Sequence, residues 1–258
     1  MGKSYLNMVQ DKIYIYGKHA LTEALLHTPQ AVKKVFLAPQ MDDAALRELV
    51  DKSGVTQAVL SAGSVPQEAG GASHQGVIGL ISVKELVVEY DSFIEGLTVA
   101  PDTALVLLNE VQDPHNVGAV IRSAAAFGIS GVLIPEHDQA PVTGAVVKVS
   151  AGMAFRIPLV SIGNTNHTLR DLKERGFWIY GLAGEGANPL TKEEFTVPAV
   201  FVLGNEARGI REKTRELCDI RLAIPMHPQC ESLNAAASMA IALYAWSAQH
   251  PEALKTKG

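Results

Sequence analysis

Residues 104–128, ALVLLNEVQDPHNVGAVIRSAAAFG, carry the pattern on which the fold turns. The apolar run 104–108 has strand length and no polar alternation, as expected of a strand buried on both faces. Pro114 and His115 make a turn. Residues 117–127 then repeat Val, Ile and Ala at helical spacing, with Arg122 as the single charge among them. Asn116 is placed to cap this helix by accepting from a free backbone amide, and Gly128 to close it in a left-handed conformation.

The same alternation continues towards the C-terminus. Apolar strand-length runs fall at 131–134, 177–182, 199–203 and 220–224, and helical patterns at 167–175, 210–217 and 233–248. Continuous apolar strands alternating with helices predict a parallel sheet covered on both faces, with ligands beyond the carboxyl ends of its strands. Upstream, residues 85–103 mix charge and apolar residues before a turn at Pro101, and read as a linker plus a docking element. Residues 1–84 form a smaller α/β unit: helices at 17–27 and 42–52, strands at 32–38, 55–60 and 76–83, and a Gly/Ala/Ser-rich mobile loop at 61–75. The expected organisation is therefore a small domain at 1–84, a linker at 85–103 and a larger α/β domain at 104–258.

Composition narrows the function classes. The chain is 47% hydrophobic and 19% charged, with a net charge of −5, an ordinary globular balance. No apolar window is long enough to span a bilayer, and the first residues lack the apolar core of a signal peptide, so a cytoplasmic location is expected. Cys218 and Cys230 are too few for a disulfide framework and read as reduced, packed thiols; His227 and Cys230 lack a second pair to complete a metal shell. Residues 1–84 hold 8 Lys/Arg against 7 Asp/Glu, and residues 85–258 hold 14 against 20. Any binding of nucleic acid must then rest on local patches and shape.

Two further loops follow predicted strands. In VLGNEARGI, residues 202–210, Gly204 stands at a strand end, where a small residue lets a ligand approach the backbone. Glu206 and Arg208 come next, and a solvated ion pair at a strand-to-helix turn accounts for them equally well. In IPMHPQCESLNAAASMAIALY, residues 224–244, Ser232 reads as a helix cap and Asn234 falls at the start of an Ala-rich helix.

Together and in this order, NVGAVIRSAAAFG, FVLGNEARGI and IPMHPQCESLNAAASMAIALY resemble the three motifs of the SpoU (TrmH-like) branch of the SPOUT RNA methyltransferases. The resemblance covers residues 104–248. GKHALTEALL, VKKVFLA and HQGVIGLIS resemble the small RNA-binding domain that precedes the catalytic domain in ribosomal RNA ribose methyltransferases of the RlmB type.

The resemblance implies an α/β SPOUT domain with a trefoil knot, S-adenosylmethionine as cofactor, RNA as substrate and a homodimer with its active sites near the subunit interface. It places Arg122, Asn116, Glu206, Ser232 and Asn234 at catalytic positions. It also implies that Leu182, Gly184, Leu203, Gly204, Ile224, Met226 and Leu233 hold the cofactor through strand-end backbone. In this expectation Arg122 acts on the ribose 2′-hydroxyl as base or as cationic stabiliser. Asn116 and Asn234 orient Arg122 and the ribose, and Glu206 fixes a neighbouring basic group. The Arg208, Arg211, Lys213, Arg215 and Arg221 cluster, and Lys18, His19, Lys33 and Lys34, are candidate RNA contacts, with solvated mixed-charge surfaces as the equal alternative. The 233–246 helix belongs either to the dimer contact or to the core.

Ribosomal RNA is the expected substrate, with a transfer RNA methyltransferase, a resistance-conferring ribosomal enzyme or a catalytically silent RNA binder as alternatives. GLAGEG at 181–186 mimics a dinucleotide-binding loop but lacks the third spaced glycine and a following acidic residue, so a dinucleotide oxidoreductase is discounted.

Overall fold

The computed structural model describes residues 11–61, 74–184 and 188–255. Most of the 61–75 loop, and the end of the GLAGEG stretch, lie outside them. The small domain is built from β1 (Lys12–Tyr16), α1 (Lys18–His27), β2 (Val32–Leu37), α2 (Ala44–Ser53), β3 (Thr56–Val59) and β4 (Val77–Ser82). Its sheet has the order β1-β4-β2-β3, with β4 antiparallel to both neighbours and β3 parallel to β2. Asp43 caps α2 by accepting from the Leu46 amide at 3.0 Å, and Gly54 closes it at φ +66°. β1 escapes the sequence reading because its five residues follow a polar leader.

Next come α3 (Val83–Leu86), β5 (Val87–Glu89) and α4 (Tyr90–Gly96), then β6 (Ala104–Leu108), α5 (Pro114–Ala126) and β7 (Gly131–Pro135). α6 (Gly144–Val149), β8 (Leu159–Ile162), α7 (Thr165–Glu174), β9 (Trp178–Leu182) and β10 (Asn188–Pro189) lead to β11 (Ala199–Leu203), α8 (Glu212–Arg215), β12 (Ile220–Ala223) and α9 (Ala235–Gln249). The eight strands run in the order β10-β12-β9-β11-β6-β7-β8-β5, and every pairing is parallel. The expected parallel sheet is present. The stretch read as a linker plus a docking element supplies the edge of this sheet: β5 pairs with β8, and Ile94 of α4 is buried beneath it. β8 is only four residues long, below the length that separates a strand from a loop in sequence.

Strand side chains alternate between two apolar layers. Val106, Leu108, Val132, Ile134, Phe201 and Leu203 face α5, α6 and α9, whereas Leu105, Leu107, Leu133, Val160, Val200 and Val202 face α4 and α7. Both faces are covered, which is why the strands read as unbroken apolar runs. The 210–217 helix shrinks to α8. α9 answers the core-or-surface question both ways: Met239, Ala242, Leu243 and Trp246 are buried, while Ile241 and Tyr244 are exposed.

Candidate active site

The carboxyl ends of β9, β11 and β12, three adjacent strands, open into a cleft of about 400 Å³. That volume lies within the roughly 300–1,000 Å³ usual for small-molecule sites. Leu182, Gly184, Leu203, Gly204, Ile224, Met226 and Leu233 all line it, with Glu206, Arg208 and Ser232. The floor is strand-end backbone with aliphatic side chains around it. Backbone and aliphatic side chains suit the adenine ring, and the charged groups on the lining, Glu206, Arg208, Arg215, Arg221 and Glu231, suit the hydroxyl, carboxylate and amino groups of the cofactor, so the cleft fits S-adenosylmethionine.

Gly204 lines the cleft and also answers a need of its own loop. A Cβ there would lie 2.3 Å from the Gly209 carbonyl carbon and 2.4 Å from the Ile210 nitrogen. The loop 205–209 folds back on itself through Asn205 and Gly209, whose amides donate to each other's carbonyls at 3.0 and 2.8 Å. The glycine therefore admits the loop's own return. Asn205, missed in sequence, shapes this loop: its Oδ1 accepts from the amides of Ala207 and Arg208, and its Nδ2 donates to the Glu110 carbonyl at 2.9 Å.

Asn116 does not cap α5. Asp113 does, accepting from the His115 amide at 2.8 Å, while Asn116 sits buried in the first helical turn. Its Nδ2 donates to Glu206 Oε1 at 3.0 Å, and its Oδ1 accepts from Asn234 Nδ2 at 2.9 Å. Asn234 in turn caps α9 through Oδ1, accepting from the Ala237 amide at 3.1 Å. Ser232, the expected cap, stands exposed on the cleft wall instead. Because the carboxylate can only accept, it fixes the orientation of both amides. Glu206 also accepts from the Gln112 and Asp113 amides at 3.2 and 3.1 Å. It thus holds Asn116 and the start of α5. Partial desolvation pushes its carboxyl up, but the bonds from Asn116 and the two amides outweigh this and hold it below the usual range.

A second set of contacts braces the same loop. Gln139 accepts from the Val111 amide at 2.9 Å and donates to the Val111 carbonyl at 2.8 Å. Arg211 pairs with Glu110, a non-glycine residue at φ +67°, and lies 3.5 Å from Asp138.

Arg122 is exposed, makes no hydrogen bond or ion pair among the described residues, and does not line the cleft. Six residues of helix separate it from Asn116, about 120° around the axis. The structure therefore does not bring it to Asn116 and Asn234, which bond to each other. Of the candidate RNA contacts, Lys18 pairs with Asp42 and Asp43, Lys33 with Glu85, and Lys34 lies over the Phe36 ring; His19 contacts the Ala151 carbonyl. Cys218 is half-buried against Gly181, and burial pushes its thiol up to about 11. Cys230 is exposed, contrary to the packed reading. Among the described residues no His/Cys/Asp/Glu group is arranged for a metal, and no helix is long and apolar enough to cross a membrane.

A parallel α/β sheet with a cleft at its carboxyl edge, joined to an asparagine–carboxylate relay, fits the class that comparison with known proteins identifies, the S-adenosylmethionine-dependent RNA 2′-O-ribose methyltransferases of the SPOUT type. Residues 103–244 match the model of the SpoU rRNA Methylase family, and residues 14–86 match that of the RNA 2'-O ribose methyltransferase substrate binding domain. The chain belongs to the SpoU rRNA methylase family. It is 34% identical over 242 residues to the 23S rRNA (guanosine-2'-O-)-methyltransferase RlmB of Nitrosomonas europaea, covering 93% of this chain and 92% of that one. The RlmB of Xanthomonas axonopodis pv. citri is 36% identical, with 92% and 96% covered. Among solved structures, the SpoU methyltransferase AviRb of Streptomyces viridochromogenes, in complex with AdoMet, shares the fold at a TM-score of 0.80 and 23% identity, with 93% and 91% covered.

Proposed function

We propose that this enzyme methylates the ribose 2′-hydroxyl of a guanosine in 23S ribosomal RNA. The observation that carries this reading is the likeness to RlmB proteins along nearly the whole of both chains, small domain included. Mapping 2′-O-methyl groups on 23S rRNA from cells with and without the gene tests it. Loss of one guanosine methylation supports it, and an unchanged map overturns it.

When bound, S-adenosylmethionine supplies a sulfonium-activated methyl group. The strand-end backbone at Leu182, Gly184, Leu203, Gly204, Ile224, Met226 and Leu233 holds it. Glu206, Asn116 and Asn234 lock the start of α5 to the start of α9 beside the cleft, so that the ribose meets a rigid wall. Arg122 acts as a cationic donor that steadies the negative charge developing on the ribose oxygen while the hydroxyl proton passes to solvent water, because a guanidinium stays protonated and its planar fork fits an oxyanion or a flanking phosphate.

Arg122 stands on the outer surface of one subunit, so the reading assigns it to a site completed by a second copy. The exposed side of α9 supports this: Tyr244 is 62% and Ile241 39% exposed, and Tyr244 stacks edge-on against Phe127, the residue that follows α5, with ring centroids 5.9 Å apart. Exposed apolar side chains on adjoining helices are the surface a homodimer covers. The trefoil knot implied by the family would lie between β11 and α9, where strand order departs from chain order.

A further inference from the structure

The small domain is joined to the large one by more than its connecting chain. Glu23 of α1 is almost fully buried at the contact between them, its side chain 5% exposed. Arg156 grips it with both arms of its guanidinium, Nη2 donating to Oε1 at 2.9 Å and Nε to Oε2. His27 lies 3.7 Å from the same carboxylate. Around this pair, Thr28 Oγ1 donates to the Phe155 carbonyl at 3.1 Å, and His19 Nε2 donates to the Ala151 carbonyl at 3.0 Å.

The backbone of the large domain is shaped to receive α1 and β1. A Cβ at Gly152, at φ +80°, would lie 2.8 Å from Glu23 Cγ, and one at Gly144 would lie 2.2 Å from the Tyr14 carbonyl oxygen. Apolar packing is continuous across the boundary: one core cluster runs from Ile13, Leu21 and Ala24 through Val146, Val147 and Phe155 to Trp246. The receiving segment, 144–156, also packs on α5. There a Cβ at Gly118 would lie 2.7 Å from Val149 Cβ and 2.9 Å from the Val146 carbonyl oxygen. A rigid line of contacts therefore runs from Glu23 through Arg156 and α6 to the helix that bears Asn116 and Arg122.

We propose that Glu23 and Arg156 are a positioning pair that fixes the RNA-binding domain against α5, so that captured RNA meets the catalytic helix in one set orientation. This rests on the RNA methyltransferase reading above. A loosely tethered domain would only raise the local RNA concentration; a docked one also sets its angle and distance. The chemistry of the pair suits docking. A buried carboxylate left without its guanidinium is costly, and the planar fork defines a direction that a point charge does not.

The test uses the full chain and the variants Glu23→Gln, Arg156→Met and Arg156→Lys. Small-angle scattering reads domain docking, calorimetry reads S-adenosylhomocysteine affinity, and methyl transfer to a 23S rRNA transcript reads kcat and KM separately. Expected for Glu23→Gln and Arg156→Met are a larger radius of gyration and a KM for RNA raised about tenfold or more. Cofactor-product affinity stays within about threefold of wild type, which shows that the catalytic domain is folded, and Arg156→Lys recovers part of the loss. Unchanged scattering and unchanged KM in Glu23→Gln and Arg156→Met overturn the proposal. Absence of transfer by the wild-type enzyme counts against the functional reading alone; scattering then decides the docking, and an unaltered profile in both variants overturns it.

Discussion

Asn116 donates to the Glu206 carboxylate at 3.0 Å, although the two residues are 90 positions apart in the chain. The bond joins the first turn of α5 to the loop after β11, and Asn234 extends it to the cap of α9. Three segments that meet only in the folded chain are thereby held in one register. The residues gathered here shape the site by holding one another.

Replacing Glu206 by Gln tests that relay. The carboxylate accepts from two backbone amides and one side-chain amide, and Gln would turn an NH2 group towards at least one of these donors. Methyl transfer should fall about 10²-fold, and stability by about 1–3 kcal/mol, measured by radiolabel incorporation and denaturant melts. Wild-type-like values in both would show that the relay positions nothing.

Gly204→Ala should act on the cofactor cleft. The added methyl group meets backbone atoms at 2.3 and 2.4 Å, and backbone cannot rotate away as a side chain can. The 205–209 loop must shift. Affinity for S-adenosylhomocysteine should drop at least about tenfold by calorimetry, because the loop forms one wall of the cleft. Retained affinity would place the cofactor elsewhere.

Arg122→Ala should separate catalysis from stability. The side chain is exposed and has no polar partner among the described residues, so unfolding free energy should change by less than about 0.5 kcal/mol. Methyl transfer should nonetheless fall about 10²–10³-fold, with S-adenosylhomocysteine affinity unchanged. Full activity in this variant would remove Arg122 from the mechanism.

These variants also mark what sequence can and cannot show. The unbroken apolar runs of β6, β7 and β11 are legible because burial on both faces leaves no polar position. β5 and β8 are not, since three and four residues carry too little pattern. The seven residues proposed to hold the cofactor follow from the family resemblance, and all seven line one cleft. The partners of Asn116 and Glu206 escape sequence reasoning for a physical reason: each is satisfied by a residue at least 90 positions distant, whereas propensity sees only neighbours. Gln139, Asn205 and Arg211 give no bracing signal, because side chains that hold loops follow no period.

Tyr244→Asp should probe assembly without disturbing the core. Tyr244 lies on the exposed side of α9, opposite the fully buried Trp246 and Leu243. A charge there costs little in a monomer but much in an apolar contact between copies. Sedimentation should show a shift from dimer to monomer, with methyl transfer lost in parallel if Arg122 serves a site shared between subunits. A monomeric wild-type enzyme with full activity would sink that assignment.

Acid should loosen the domain contact before neutral or alkaline pH does. The hydrogen bonds from Arg156 hold the Glu23 carboxyl below its usual range, against the upward push of burial and with help from His27 and His19. A lowered folded-state value means that the stabilisation is complete above the ordinary carboxylate range, begins to be lost as pH enters that range, and is gone only below the lowered folded-state value. Because Arg156 is 46% exposed, the pair should contribute about 1–3 kcal/mol, less than a fully buried pair. Melts of the wild type should therefore lose more stability between neutral pH and about pH 3 than those of Glu23→Gln, which carries no carboxylate to protonate. Parallel curves for the two proteins would mean that the buried carboxylate has no part in the acid response.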